Sequence, residues 1–200
     1  MNLLKWLNIY NSILRLKFYT YLETHNPDVI KEFDSHFQRF INEHGLNTKV
    51  EKVKFFGGDI LVGLCYLILV RTNEFIKNEL NEAEKDIVLQ IDNWKIFGVS
   101  NFSDITSRYN LTITTLVEKN NRGNFYYTND REKLEFFIRK LRNAISHHNY
   151  DHPSKSHIKL IDQNPNDRKM ECIFKYSGFI NFCMDFGHMV NDCLYNQINR

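Results

Sequence analysis

An arginine followed five positions later by a histidine, in Arg142-Asn143-Ala144-Ile145-Ser146-His147, supplies two side chains suited to act together on a phosphate. A guanidinium is always charged, and its planar fork matches phosphate oxygens. An imidazole titrates near ~6.5, so it takes or gives a proton around neutral pH. RNA cleavage needs these functions and no protein nucleophile, because the 2′-hydroxyl of the substrate attacks. A base must take that proton, an acid must protonate the leaving 5′-oxygen, and the phosphorane charge must be stabilised. One His-Arg pair is thin for both ends of this proton transfer. Two copies of the chain would bring two histidines and two arginines into one cleft.

The element that carries these residues is a helix. Asn129 followed by Glu132 gives a capping-box pattern, and the helix is expected over about 130–148. Unrolled at about 100° per residue, it places Leu134, Phe137, Ile138, Leu141, Ile145 and His148 on one side as the core stripe. Arg142 and Ser146 fall on one flank of that stripe, with Asn143 and His147 nearly opposite it. Phe136 shares the His147 face. An aromatic on a polar face points to contact with a second surface, and another copy of the same helix across a two-fold axis is the simplest partner.

The segment Leu141-Arg142-Asn143-Ala144-Ile145-Ser146-His147 resembles the HEPN family pattern of an arginine, a polar residue and a histidine after a short gap. The apolar helix from Ile60 and the hairpin after His152 look like those of stand-alone bacterial HEPN proteins. The resemblance implies a helical domain that dimerises through the motif helices. It also implies, for many members, metal-independent RNA cleavage in toxin–antitoxin or anti-phage defence, leaving 2′,3′-cyclic phosphate ends. On it, Arg142 and His147 are the paired catalytic positions, Asn143 is the polar position, and Ser146 supports them. RNA, a second copy and an antitoxin or regulatory protein are the implied partners. The alternative it leaves open is a non-catalytic interaction or nucleotide-binding module. Some enzymatic relatives carry a tyrosine two residues after the histidine. Here Asn149 holds that position and Tyr150 follows, so Tyr150 receives no catalytic role.

Other groupings in the chain have plainer uses as well as functional ones. Arg131, Arg139, Lys140 and Arg142, with Lys155 and Lys159, form a modest basic grouping; Arg139, Lys140 and Lys155 are its candidates for a phosphate track. The competing use is a solvated face offset by Glu132 and Glu135. His147, His148, His152 and His157 lack cysteine or carboxylate partners at ligand spacing, so neither a metal nor another cofactor is expected. Phe55-Phe56 and Phe125-Tyr126-Tyr127 suit packing better than base stacking. Gly57-Gly58 is a helix boundary, since no Gly-Lys phosphate loop follows.

The chain of 200 residues has 42% hydrophobic and 25% charged residues, three prolines and a net charge of +2. This suits one globular domain over 1–200, and it excludes nucleic-acid binding through global charge alone. Cys65, Cys172, Cys183 and Cys193 form no Cys-x-x-Cys pair, and no secretory signal is apparent, so reduced thiols and a cytoplasmic location are expected. The apolar run from Ile60 to Val70 is shorter than the ~20 residues of a membrane helix.

Helices are expected over about 3–23, from Pro27 to near Gly45, over 60–80 with Asp59 as cap, and over 82–97 ending at Gly98. The segment 100–124 is ambiguous. A β-hairpin insertion is expected at about 156–174, turning through Gln163-Asn164-Pro165-Asn166-Asp167, before a last helix over 177–198 capped by Ser177. The fold class is therefore an all-α, HEPN-like bundle of five or six helices with one short hairpin before the last helix.

Overall fold

The computed structural model describes residues 3–45, 58–120, 123–125, 127, 129–163 and 168–198. Phe55, Phe56, Gly57, Tyr126 and the expected turn at 164–167 lie outside them. Seven α-helices and five strands occur among the described residues. They are α1 (Leu3–His25), α2 (Pro27–Glu43), α3 (Gly58–Glu79), α4 (Glu82–Val88), α5 (Phe102–Arg108), β1 (Leu111–Asn120), β2 (Gly123–Phe125), α6 (Asp130–Ser146), β3 (Tyr150–Ser154), β4 (His157–Gln163), β5 (Arg168–Lys175) and α7 (Tyr176–Ile198).

Local chemistry explains most boundaries. Pro27 opens α2, where its missing N–H costs nothing, and Gly45 follows the end with φ 62°. The expected single helix over 82–97 is two elements. Asn81 and Glu84 cap α4 reciprocally, the chain breaks after Leu89, and a 3₁₀ helix runs over Ile91–Phe97 to Gly98 in the left-handed conformation. Helix α3 begins at Gly58, so Asp59 lies within it rather than at its cap. Likewise α7 starts at Tyr176, directly after β5, and Ser177 is its second residue.

The strands require the largest correction. The expected hairpin exists as β4 and β5, paired antiparallel, but it belongs to a five-stranded sheet in the order β2-β1-β5-β4-β3. Strand β1 comes from the ambiguous segment: Leu111 and Ile113 face inward with Thr112 and Thr114 exposed, and a bulge between Ile113 and Thr115 brings Leu116 back to the inner face, a pattern that pays off only against a neighbouring strand. The protein is thus mostly α with an antiparallel sheet, not all-α.

Helix α3 is the central element, packed against α1, α6 and α7. Cys65, Ile68, Leu69, Phe75 and Ile76 on α3 join Ile13 and Leu16 of α1, the apolar stripe of α6, and Phe179, Phe182 and Phe186 of α7 in one hydrophobic cluster. Trp94 stacks on Phe182 with ring centroids 5.4 Å apart. Gly178 lets α7 pass the Tyr109 carbonyl, because a Cβ there would lie 1.7 Å from that oxygen. All four cysteines carry free thiols. No helix among the described residues is long and apolar enough to cross a membrane.

Candidate functional site: the end of the sixth helix

Helix α6 is held from two sides. Leu134, Phe137, Ile138, Leu141 and Ile145 are buried in the main cluster, each contributing roughly 1.5–3 kcal/mol. Asn129 caps the start by accepting the Arg131 N–H at 2.9 Å, one residue nearer than a capping box places it. The second buried side is the face read from the sequence as polar. Phe136 is 1% exposed, packed on Tyr127 with centroids 4.9 Å apart, and is therefore not an exposed dimer anchor. Lys140 is 3% exposed and forms an ion pair with Asp162 of β4 at 2.8 Å. A lysine so enclosed does not present a charge to RNA. Both corrections have one kind of cause: residues outside the helix cover this face, Tyr127 against Phe136 and Asp162 of β4 against Lys140.

Glu132, Glu135 and Arg139 are exposed and Arg142 and Ser146 half-buried, and together they make the open stripe of α6. Arg142 is 28% exposed by side chain and Glu74 of α3 35%, and the two form a hydrogen-bonded ion pair. The guanidinium holds the Glu74 carboxyl below its ordinary range, and its pull outweighs the opposing effect of burial. A second nitrogen of Arg142 donates to Asn143 Oδ1 at 2.9 Å, and Asn143 Nδ2 donates to Asp162 Oδ2 at 3.3 Å. Glu74, Arg142, Asn143, Asp162 and Lys140 thus form one continuous polar network. Ser146 donates to the Arg142 carbonyl at 2.8 Å, so its hydroxyl serves the helix.

The helix ends at Ser146. His147 is the C-cap, and His148 follows with φ 55°. The His148 N–H reaches the Ile145 carbonyl at 3.1 Å and the Asn149 N–H reaches that of Ala144 at 2.8 Å, which is a Schellman closure with histidine where glycine is usual. His148 is consequently exposed, not part of the core stripe as its helical projection implied. The His147 side chain is also exposed, and no described residue hydrogen-bonds its imidazole. The structure puts an open imidazole just beyond a helix whose last turns carry a braced, partly open guanidinium. Such a pair can move a proton and hold a phosphate, provided both reach one substrate.

The basic grouping largely dissolves. Arg131 pairs with Asp86, Lys140 with Asp162, Arg142 with Glu74, and Lys159 with Glu171 at 2.7 Å. Arg139 is exposed with its guanidinium 5.4 Å from the Phe136 ring, and Lys155 is exposed in the turn between β3 and β4. Among the described residues no group of three or more His, Cys, Asp and Glu side chains is arranged to hold a metal. Sequence reasoning missed Glu74 and Asp162. Neither has a local signal, because each acts on α6 from a distant element.

Helices around a central apolar one, with a motif Arg and His at a helix end, are the features of a HEPN protein. The family model HEPN pEK499 p136 matches residues 10–195, and the chain belongs to that family. No curated protein and no solved structure matches it.

Proposed function

We propose that the protein is a metal-independent endoribonuclease that works as a homodimer, in toxin–antitoxin or anti-phage defence. The observation that carries this reading is the pairing of a half-open Arg142, oriented by Glu74 and Asn143, with an exposed His147 at the end of the same helix. His147 exchanges the proton with the 2′-hydroxyl or the 5′-oxygen, and Arg142 stabilises the charged phosphorane. A second protomer supplies the other histidine. The stripe from Glu132 through Arg139 to Ser146 is the face of α6 left open for that copy. The product carries a 2′,3′-cyclic phosphate because the attacking oxygen is the RNA's own.

The test is incubation of purified protein with labelled single-stranded RNA and a transfer-RNA pool, in EDTA and in magnesium. Cleavage in EDTA is expected; activity lost in EDTA and restored by magnesium or manganese counts against the reading. Light scattering should give twice the chain mass at micromolar concentration.

One observation favours a second reading. Glu74 neutralises Arg142 within the chain, which is what a purely structural arginine would need. On this reading the protein is a HEPN interaction module without activity, and Arg142→Ala lowers stability with no RNA phenotype.

A further inference from the structure

A row of rings starts one residue beyond His147. His148 stacks on Tyr150, with centroids 6.2 Å apart and planes at 26°; Tyr150 meets His152 edge-on at 5.7 Å; and His152 stacks on Tyr176 at 5.7 Å and 19°. The Tyr176 hydroxyl hydrogen-bonds His152 Nδ1. The row crosses β3 and ends in a cavity of about 810 Å³ between α1, the β3–β4 turn and the start of α7. His152 and Tyr176 line it, as do Lys155, Lys175 and Ser177, with Glu23 the one carboxylate among the described residues of its wall. Lys155 and Lys175 are exposed, and neither appears in the ion pairs that neutralise Arg131, Lys140 and Lys159.

We propose that this row and its cavity are a subsite for single-stranded RNA next to the scissile phosphate, with one base laid on the His152–Tyr176 pair and the adjoining phosphate on Lys155 and Lys175. The proposal rests on the RNA-cleaving reading of Arg142 and His147. Flat rings in a row from the turn after α6, through Tyr150 and His152 of β3, to the start of α7 suit unpaired bases, since stacking needs a π-face and no particular base edge. Two lysines at the far end suit a backbone phosphate, whose capture is weakened by salt. A duplex cannot use the row, because its bases are already stacked. The cavity is large enough for a nucleotide, so a free nucleotide shares this chemistry and is the second source to distinguish.

The experiment measures binding of a fluorescent ten-nucleotide RNA to His147→Ala protein, chosen so that the RNA survives, across a salt series. Adding Lys155→Glu and Lys175→Glu should weaken binding tenfold or more and flatten the log K against log salt slope by about 1.4, two single-strand phosphates' worth. Adding His152→Ala instead should weaken binding about three- to tenfold with the slope unchanged, because it removes stacking and no charge. Adenosine monophosphate should compete only at millimolar concentration, and double-stranded RNA should not compete through this site. Unchanged affinity in the lysine variant overturns the proposal, as does micromolar binding of the mononucleotide that the RNA does not displace. The two readings fail separately. RNA cleavage that depends on His147 but is indifferent to the lysines removes the subsite alone. RNA binding that depends on the lysines in a protein that never cuts removes the cleavage reading alone.

Discussion

Glu74 and Arg142 stand 68 residues apart in the chain and form an ion pair that fixes the motif arginine against α3. The pair orients the guanidinium and also cancels its charge. Its effect on RNA is therefore testable by removing the charge and keeping the acceptor. In the His147→Ala background, Glu74→Gln should tighten RNA binding several-fold at low salt and steepen the salt slope by about 0.7, as one further phosphate contact does. Unchanged affinity in fluorescence anisotropy would place Arg142 away from the RNA.

The same pair predicts a pH dependence of stability. Arg142 lowers the Glu74 carboxyl below its unfolded value of about 4.3. The contribution is therefore present above that value and lost as pH falls through the lower folded value. Both side chains are about a third exposed, so Arg142→Ala should cost only about 0.2–1 kcal/mol at neutral pH. The gap in urea midpoint between wild type and variant should close as pH falls below about 4.3. A gap that widens toward acid contradicts the assignment.

Lys140 and Asp162 should behave in the opposite way. Their pair is buried, so Lys140→Ala or Asp162→Ala leaves an uncompensated charge and should cost about 3–5 kcal/mol. The double change Lys140→Met with Asp162→Leu should recover at least half of it in urea denaturation. RNA affinity of the Lys140→Ala protein at equal folded fraction should not respond. A Lys140→Ala protein of full stability and weak RNA binding would restore Lys140 to a phosphate track.

What the sequence made legible follows from the range of each interaction. The helix of Arg142 could be read because its apolar spacing, its Asn129 cap and its length are local. The exposure of His147 could be read too, but the neighbouring His148 could not. Projection continues a helix through it, whereas the chain closes at His147 and sends His148 into a left-handed turn. The face of Phe136, Lys140 and Asn143 reads as polar in sequence because its partners, Tyr127 for Phe136 and Asp162 for Lys140 and Asn143, lie outside the helix. Strand β1 is unreadable for the same reason: its threonine-rich pattern gains meaning only from pairing with β5, distant in sequence (Thr112 with Ile173, for example). Local chemistry was visible, and partners distant in sequence were not.

The left-handed His148 gives a fourth prediction. A side chain at φ 55° carries a steric cost that glycine avoids, set against the loss of its stacking on Tyr150. His148→Gly should stabilise the protein by roughly 0.5–1 kcal/mol and, because it removes the first ring of the row, weaken RNA binding a few-fold while leaving the single-turnover rate at saturating RNA within about threefold of wild type. A large loss of cleavage in a stable His148→Gly protein would move the catalytic histidine from 147 to 148.

Arg142 and His147 are the proposed catalytic pair. The most direct measurement is the single-turnover cleavage rate of one labelled RNA in EDTA, with product ends resolved, for wild type, Arg142→Ala and His147→Ala at equal folded fraction by circular dichroism. Wild type is expected to leave 2′,3′-cyclic phosphate ends. Each variant should lose on the order of 100-fold or more in rate, with helicity and dimerisation retained. Cleavage at the wild-type rate by well-folded His147→Ala protein, or no cleavage of any RNA by wild type, would rule out this catalytic pair.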